Sequence, residues 1–425
     1  MRSNRLFAIA LGALLAAWPL AAAPSLQYVV IVSRHGVRAP TWEPARLNEY
    51  SAQPWPQWGV APGELTPHGR ELIELMGAYD RQWLIAEHLL SSQGCRDAER
   101  IRIVADTSQR TLETGRAFAR SLLPGCAIAV QSQPDGRKDP LFSGFGTADP
   151  DLSLSAIRAR MGADPRKLLD EHQQAVDLLQ SILSGGERTA RKLLEPPAMI
   201  AASLNGKTVE LTGPFAVGST LSESLLLEYA NGFPRANLGW GRLTRDSLFQ
   251  VLELHAVYAD VMRRTAYVAR ARGSNLLQHV LLSLQQAASG KPVAGALGRP
   301  GDVLLILSGH DTNLSNLSGM LGLSWKLPGY QPDDTPPGGA LIFSLWHGDP
   351  GESSVTLQYV AQSLDQMRNR EQLTLRTPPL RQAVSIPGCQ AAAPNSGCSW
   401  ASFQEVLQKA TDPAFVAASA DGHRP

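Results

Sequence analysis

Two short segments of this 425-residue chain concentrate the side chains suited to handling a phosphoryl group. The first is Arg34-His35-Gly36-Val37-Arg38-Ala39-Pro40, an imidazole between two guanidiniums in a bend loosened by Gly36. Guanidinium forks match phosphate oxygens in pairs, and two cations this close repel one another unless they share an anion. The cluster therefore reads as a nucleophile in a phosphate cradle, rather than as two surface ion pairs beside a core histidine. The second segment is His310-Asp311-Thr312-Asn313, at the start of a helical pattern. A helix N-terminus adds backbone donors and a potential that favours anions, and Asp311 can supply the proton that an alcohol needs as it leaves. Capping the helix is an equally ordinary use of Asp311 or Thr312. Arg110, taken alone, is an ordinary solvated helix residue.

The elements that position these residues are legible as apolar runs. Leu26–Ser33, Ile101–Ala105 and Val303–Leu307 are short, largely β-branched or aliphatic runs, each delivering polar residues at its carboxyl end: Arg34-His35, Asp106-Thr107-Ser108 and Ser308-Gly309-His310-Asp311. Helical patterns follow at Thr66–Leu84, Arg110–Leu122 and Asn313–Leu321, the first with Thr66-Pro67 as cap and first turn. Strand, polar turn and helix in succession predict an α/β fold: a mixed sheet with helices on both faces, and ligands outside the carboxyl ends of the strands. Between them, the segment 139–264 carries helix-like patterns at Pro165–Leu183, Glu187–Leu194, Ser219–Ala230 and Arg245–Met262, with few strand-like runs. It reads as a mainly helical inserted domain, which leaves 24–138 and 265–425 to form the α/β domain. Phe142-Ser143-Gly144-Phe145-Gly146 lacks the strand–loop–helix context of a phosphate loop and reads as ordinary loop. Lys326–Gly339 reads as an ordered loop leading to a strand at Ala340–Trp346.

Composition narrows the function classes. Hydrophobic residues make up 44% and charged residues 18%, and the formal charge is +1, so no long-range field recommends a nucleic-acid or anionic-membrane partner. At the N-terminus Arg2 and Arg5 precede an apolar run, Leu6–Leu20, and then Ala21-Ala22-Ala23. That is the pattern of a secretory signal over 1–23, too short and too interrupted at Pro19 for a span. The expected mature protein is exported, periplasmic or secreted, free of the membrane and monomeric. The four cysteines, Cys95, Cys126, Cys389 and Cys398, then suggest disulfides. Sequence proximity favours Cys95 with Cys126 and Cys389 with Cys398 among three possible pairings. No close C-x-x-C spacing suggests zinc, and no metal or cofactor is expected.

At this point the chain resembles the histidine acid phosphatase family, in its bacterial periplasmic phytase and glucose-1-phosphatase branch. The resemblance rests on Arg34-His35-Gly36-Val37-Arg38-Ala39-Pro40-Thr41 and Gly309-His310-Asp311-Thr312-Asn313. Leu65-Thr66-Pro67, Leu238-Gly239-Trp240-Gly241-Arg242 and Asp334-Thr335-Pro336-Pro337-Gly338-Gly339 support it. It implies an acid phosphatase of phosphomonoesters, acting through a phosphohistidine on His35, with Arg34, Arg38, Arg110 and His310 holding phosphate and Asp311 donating the proton. It further implies a substrate pocket around Thr41, Trp42 and Glu223, and the two proximal cysteine pairs match those the family retains. Trp42 stands where close phytases carry Lys, so a cationic contact outside the scissile group is replaced by an aromatic ring.

Three rival readings fit parts of the pattern. A phosphoglycerate-mutase-like transferase shares the Arg-His-Gly start but ordinarily works in the cytosol, against the export signal. A periplasmic phospho-ligand binding protein would use the arginines without needing Asp311. A metallohydrolase would need ligand spacing that His68, His88, His172 and His255 do not show, so those histidines read as isolated. On the phosphatase reading, flanking cations keep His35 neutral at acidic pH and also favour ionised Asp311, whose protonation waits for substrate charge.

Overall fold

Residues 25 to 34 alternate their side chains between two apolar layers, which is why a nearly continuous hydrophobic run forms a central strand. Val29 and Ile31 enter one core and Val30 and Val32 the other. In this computed structural model the described residues are 24–134, 137–162, 164–186, 192–193, 195, 197–203, 208–348, 352–391 and 397–417. The expected signal segment 1–23 and most of the helical pattern Glu187–Leu194 lie outside them.

Among the described residues there are ten strands: β1 Ser25–Arg34, β2 Ile101–Ala105, β3 Val130–Gln131, β4 Met199–Ala202, β5 Val209–Thr212, β6 Leu304–Gly309, β7 Ala340–His347, β8 Ser353–Ala361, β9 Leu380–Ala383 and β10 Cys398–Ser399. Eight form one mixed sheet in the order β10-β8-β7-β1-β6-β2-β3, with β9 also on β8. β1, β6, β2 and β3 run parallel, and β7 joins β1 antiparallel. Register aligns Arg34 with Gly309 and Ser308 with Ala105, so three strands end side by side. The bonds continue one residue further, from the His35 amide to the Gly309 carbonyl (2.9 Å) and from the Asp106 amide to the Ser308 carbonyl (3.0 Å).

Helices Pro67–Ala86 and Gln109–Leu122 cover one face, burying Ile73, Met76, Phe118 and Leu122 against Ile31, Ile103 and Ile306. Helices Ala266–Ser289, Asp311–Leu321 and Trp400–Ala410 cover the other, in a core that runs without a break into the helical segment through Leu221, Leu225 and Leu254. The Thr66 hydroxyl accepts from the Gly69 amide at 2.9 Å, capping the first helix as its sequence predicts. Disulfides join Cys95 to Cys126 and Cys389 to Cys398, with Cα–Cα distances of 5.4 and 5.6 Å.

Several local expectations are corrected. Pro165–Leu183 is two helices, Pro165–Glu171 and Gln173–Ser184, meeting at His172. Arg245–Met262 likewise divides at Leu252 into Arg245–Val251 and Glu253–Met262. In both, apolar periodicity continues across the break, so pattern alone merges the pair. The expected loop at Phe142–Gly146 begins inside a short helix, Pro140–Ser143, capped by the Asp139 carboxylate and ended by Gly144. β4 and β5 form a hairpin within the otherwise helical segment.

Candidate active site

The bend after β1 is built by close approach. A Cβ on Gly36 would lie 2.9 Å from the Gly69 carbonyl oxygen, so only glycine lets the loop pass the start of the first long helix. The Gly36 amide donates to Thr114 Oγ1 (3.0 Å), and the Gly338 amide donates to the His35 carbonyl (2.9 Å). The nucleophile candidate is thereby fixed from two sides.

His35 is 2% exposed, and its Nδ1 lies 2.8 Å from its neighbour's carbonyl, Gly36 O. A carbonyl can only accept, so the proton sits on Nδ1 and the lone pair on Nε2. Burial, then Arg34, Arg38, Arg110 and His310, hold the imidazole pKa well below its ordinary value. The ring is oriented, its neutral form is favoured, and its lone pair lies on Nε2.

Arg34 and Arg38 are buried, and the Glu223 carboxylate joins them. Arg34 Nη2 donates to Glu223 Oε1, and Arg38 Nη2 donates to Oε2 at 2.9 Å. Arg34 Nη1 goes to the Thr335 carbonyl and Arg38 Nη1 to the Ala39 carbonyl (3.0 Å). Burial pushes the Glu223 carboxyl up, but Arg38 and Arg34 pull it harder, down to about 2. The Nε–H groups of Arg34, Arg38 and Arg110 are buried without an acceptor among the described residues. Three such donors are costly unless an anion meets them.

Arg110 comes from the helix after β2, where its Nη2 lies 3.4 Å from His310 Nδ1. His310 Nε2 is 2.6 Å from Asp106 Oδ2, so the carboxylate at the end of β2 orients the imidazole at the end of β6. The His35 and His310 rings meet edge to face, with centroids 5.5 Å apart.

Asp311 begins its helix with Oδ1 accepting from the Thr312 amide (2.9 Å) and Oδ2 bound by Arg263 Nη1 (2.6 Å). His255 Nε2 lies 3.9 Å from the same Oδ2. Burial opposes charge on Asp311, but Arg263, Arg34 and His255 outweigh it and hold the carboxyl well below the usual range. Ligand atoms of Glu223, His255 and Asp311 lie within 4.8 Å of one another, a spacing that could hold a metal ion. Both carboxylates are already engaged by guanidiniums, so a divalent cation there would face Arg34, Arg38 and Arg263 at close range.

The structure thus brings Arg34, His35, Arg38, Arg110, His310, Asp311 and Glu223 together. Thr41 is exposed, and half-buried Trp42 lies under the Arg46 guanidinium, 3.8 Å from ring centroid to Cζ. Neither side chain joins the hydrogen-bond network around His35. His255 corrects the sequence reading: it is not isolated but faces both acids, brought there from a helix 56 residues before Asp311 in the chain. Sequence reasoning also misses Arg263 and the role of Asp106. Asp106 has a signal, its place at a strand's carboxyl end, whereas nothing near Arg263 in the sequence distinguishes it.

Residues 25–361 match the model of the histidine phosphatase superfamily, branch 2. The chain belongs to this superfamily. It is 38% identical over 405 residues to the phytase AppA of Escherichia coli (strain K12), covering 92% of this chain and 93% of that one. To the glucose-1-phosphatase of Salmonella typhimurium it is 31% identical over 393 residues, covering 91% and 92%. A Hafnia alvei phytase solved in complex with myo-inositol hexakis sulphate superposes with a TM-score of 0.84 at 34% identity, over 92% of this chain and 98% of that one. The chain is a histidine phosphatase, a hydrolase of phosphomonoesters, on a mixed α/β fold. No helix among the described residues is long and apolar enough to cross a membrane.

Proposed function

We propose that this phosphatase is exported and hydrolyses phosphomonoesters of alcohols in acid, with polyphosphorylated inositol as its preferred substrate class. One observation carries the mechanism: a buried His35 with its proton fixed on Nδ1, among three arginines whose Nε–H groups lack acceptors among the described residues. Nε2 attacks phosphorus and the P–O ester bond breaks, while Arg34, Arg38, Arg110 and His310 balance the charge on the equatorial oxygens. Asp311 passes its proton to the departing alkoxide. In the second step Asp311 takes a proton from water, the water oxygen attacks phosphorus and the N–P bond breaks. The phosphate's charge raises the proton affinity of Asp311, against the arginines, once the complex forms.

Support for export comes from the basic, apolar and small-residue order of residues 1–23 and from the two disulfides. The similarity to two enzymes named phytases favours inositol phosphates, and the similarity to a glucose-1-phosphatase keeps sugar monophosphates as the second reading. Trp42 favours that second reading only in that no lysine side chain stands at this position to meet a further phosphate. The test is a panel of phytate, glucose-1-phosphate, a nucleotide and an aryl phosphate at acidic pH in excess chelator. The proposal expects activity on all monoesters without a metal and the highest specificity constant for phytate. Activity restored only by a divalent ion would contradict the mechanism, and a higher constant for glucose-1-phosphate would establish the second reading.

A further inference from the structure

Arg263 caps the helix Glu253–Met262 and, among the described residues, its side chain makes one hydrogen bond, the 2.6 Å contact from Nη1 to Asp311 Oδ2. That side chain keeps 18% of its exposure. It also lines a cavity of about 210 Å³ whose wall includes Arg272, Tyr258, Asn316 and Thr312, the residue after Asp311. Arg263 therefore bonds the proposed proton donor through its guanidinium and also lines a neighbouring cavity that Arg272 lines as well. The cavity adjoins the site through Arg263 and Thr312, so two arginines in its wall stand on the side from which a second phosphate on the alcohol would meet Arg263. Charge-assisted bonds to a phosphate dianion compete well with a single bond to a carboxylate.

We infer that Arg263 is a specificity-determining residue that couples the leaving group to the proton donor: a second anionic group on the alcohol draws its guanidinium from Asp311. This rests on the reading of Asp311 as the donor. While Arg263 holds it, Asp311 is biased toward the carboxylate, so it carries a proton for the alkoxide only at lower pH. A singly phosphorylated alcohol leaves that ion pair in place, whereas a polyphosphorylated one exchanges it for its own. The other groups acting on Asp311 are Arg34 from the end of β1, Arg110 from the helix after β2, His255 from the same helix as Arg263, Glu223 from the helix Pro214–Ala230 and Tyr359 from β8. Of these side chains, none but Arg263 both hydrogen-bonds the carboxylate and lines the cavity.

The experiment follows kcat against pH for phytate and for glycerol 2-phosphate, whose alcohol bears no second phosphate. In the wild type the alkaline limb for phytate is expected at least about half a pH unit above that for glycerol 2-phosphate. Arg263→Gln should raise the glycerol phosphate limb until the two coincide, and should lower the ratio of kcat/KM for phytate over glycerol phosphate about tenfold. Arg263→Lys, which keeps the charge without the fork, should retain part of the separation. Coincident limbs in the wild type, or a separation that survives Arg263→Gln, would overturn the inference. Asp311→Asn distinguishes the underlying reading: if it leaves the alkaline limb for glycerol phosphate in place, Asp311 is not the titrating donor and the mechanism itself fails.

Discussion

Replacing Glu223 by Gln removes the one carboxylate bound to both Arg34 and Arg38 while keeping its shape. The side chains involved are 11%, 1% and 8% exposed, so solvent screens them little. Burial raises this carboxyl's pKa, Arg38 and Arg34 lower it further, and the result falls from 4.5 to about 2. At about 1.4 kcal/mol per pH unit that corresponds to roughly 3 kcal/mol, at the lower end of the cost of breaking a buried ion pair. The folded pKa is depressed, so this stability is present above the unfolded value and is lost as pH falls through about 2. An unfolding entropy of about 2 cal/mol/K per residue turns that loss into a melting temperature lower by about 3–4 °C at pH 6. Inorganic phosphate should reverse the effect, because the freed arginines no longer share their charge with a carboxylate, and its affinity should rise at least tenfold. Thermal melts with and without phosphate, together with calorimetric titration of phosphate, measure both quantities. A Glu223→Gln variant that melts with the wild type and binds phosphate no more tightly would show that Glu223 does not balance the two arginines.

Glu228 is buried against the Gly239 amide, and burial pushes its carboxyl up to about 8. A raised folded pKa contributes stability that is full below the unfolded value and is lost as pH rises through about 8, so Glu228→Gln should gain about 4 °C relative to wild type between pH 5 and pH 8, read from paired melts. A gap that stays constant with pH would contradict the assignment. Asp311→Asn should slow phytate at least tenfold more than nitrophenyl phosphate, since a nitrophenolate leaves without protonation; equal slowing at the chemical step would point to another acid. Opening the Cys95–Cys126 loop, with 31 residues of separation, should cost about 3–4 kcal/mol by the chain-entropy estimate. A Cys95→Ala/Cys126→Ala variant measured in denaturant tests this, and an unchanged midpoint would count against it.

The reacting centre is legible in the sequence because its parts are local: β1 and β6 each end in a motif that carries its own chemistry, and parallel pairing of β-rich runs puts strand ends side by side. The surrounding charges are not. Arg263 and His255 reach Asp311 from a helix whose apolar spacing announces only packing, and Glu223 lies inside a helix that is buried almost all round. Their roles depend on tertiary distances that residue types alone do not encode. The same limit explains the merged helices, since the breaks at Leu252 and His172 do not interrupt the hydrophobic period. The long helix Ala266–Ser289, strand β8 and the last helix carry no motif to mark them, although together they complete the sheet and one of its faces.

Whether phosphate becomes covalently bound to His35 is the most direct test of the mechanism. Rapid acid-free quenching of the enzyme with labelled substrate, followed by exposure of the bound label to acid and to alkali, identifies a phosphohistidine by its acid lability and alkali stability. A burst of such label approaching one per chain is expected, accumulating further in Asp311→Asn and absent in His35→Ala. Label retained in His35→Ala, or turnover in wild type with no bound phosphate at any quench time, would contradict the mechanism.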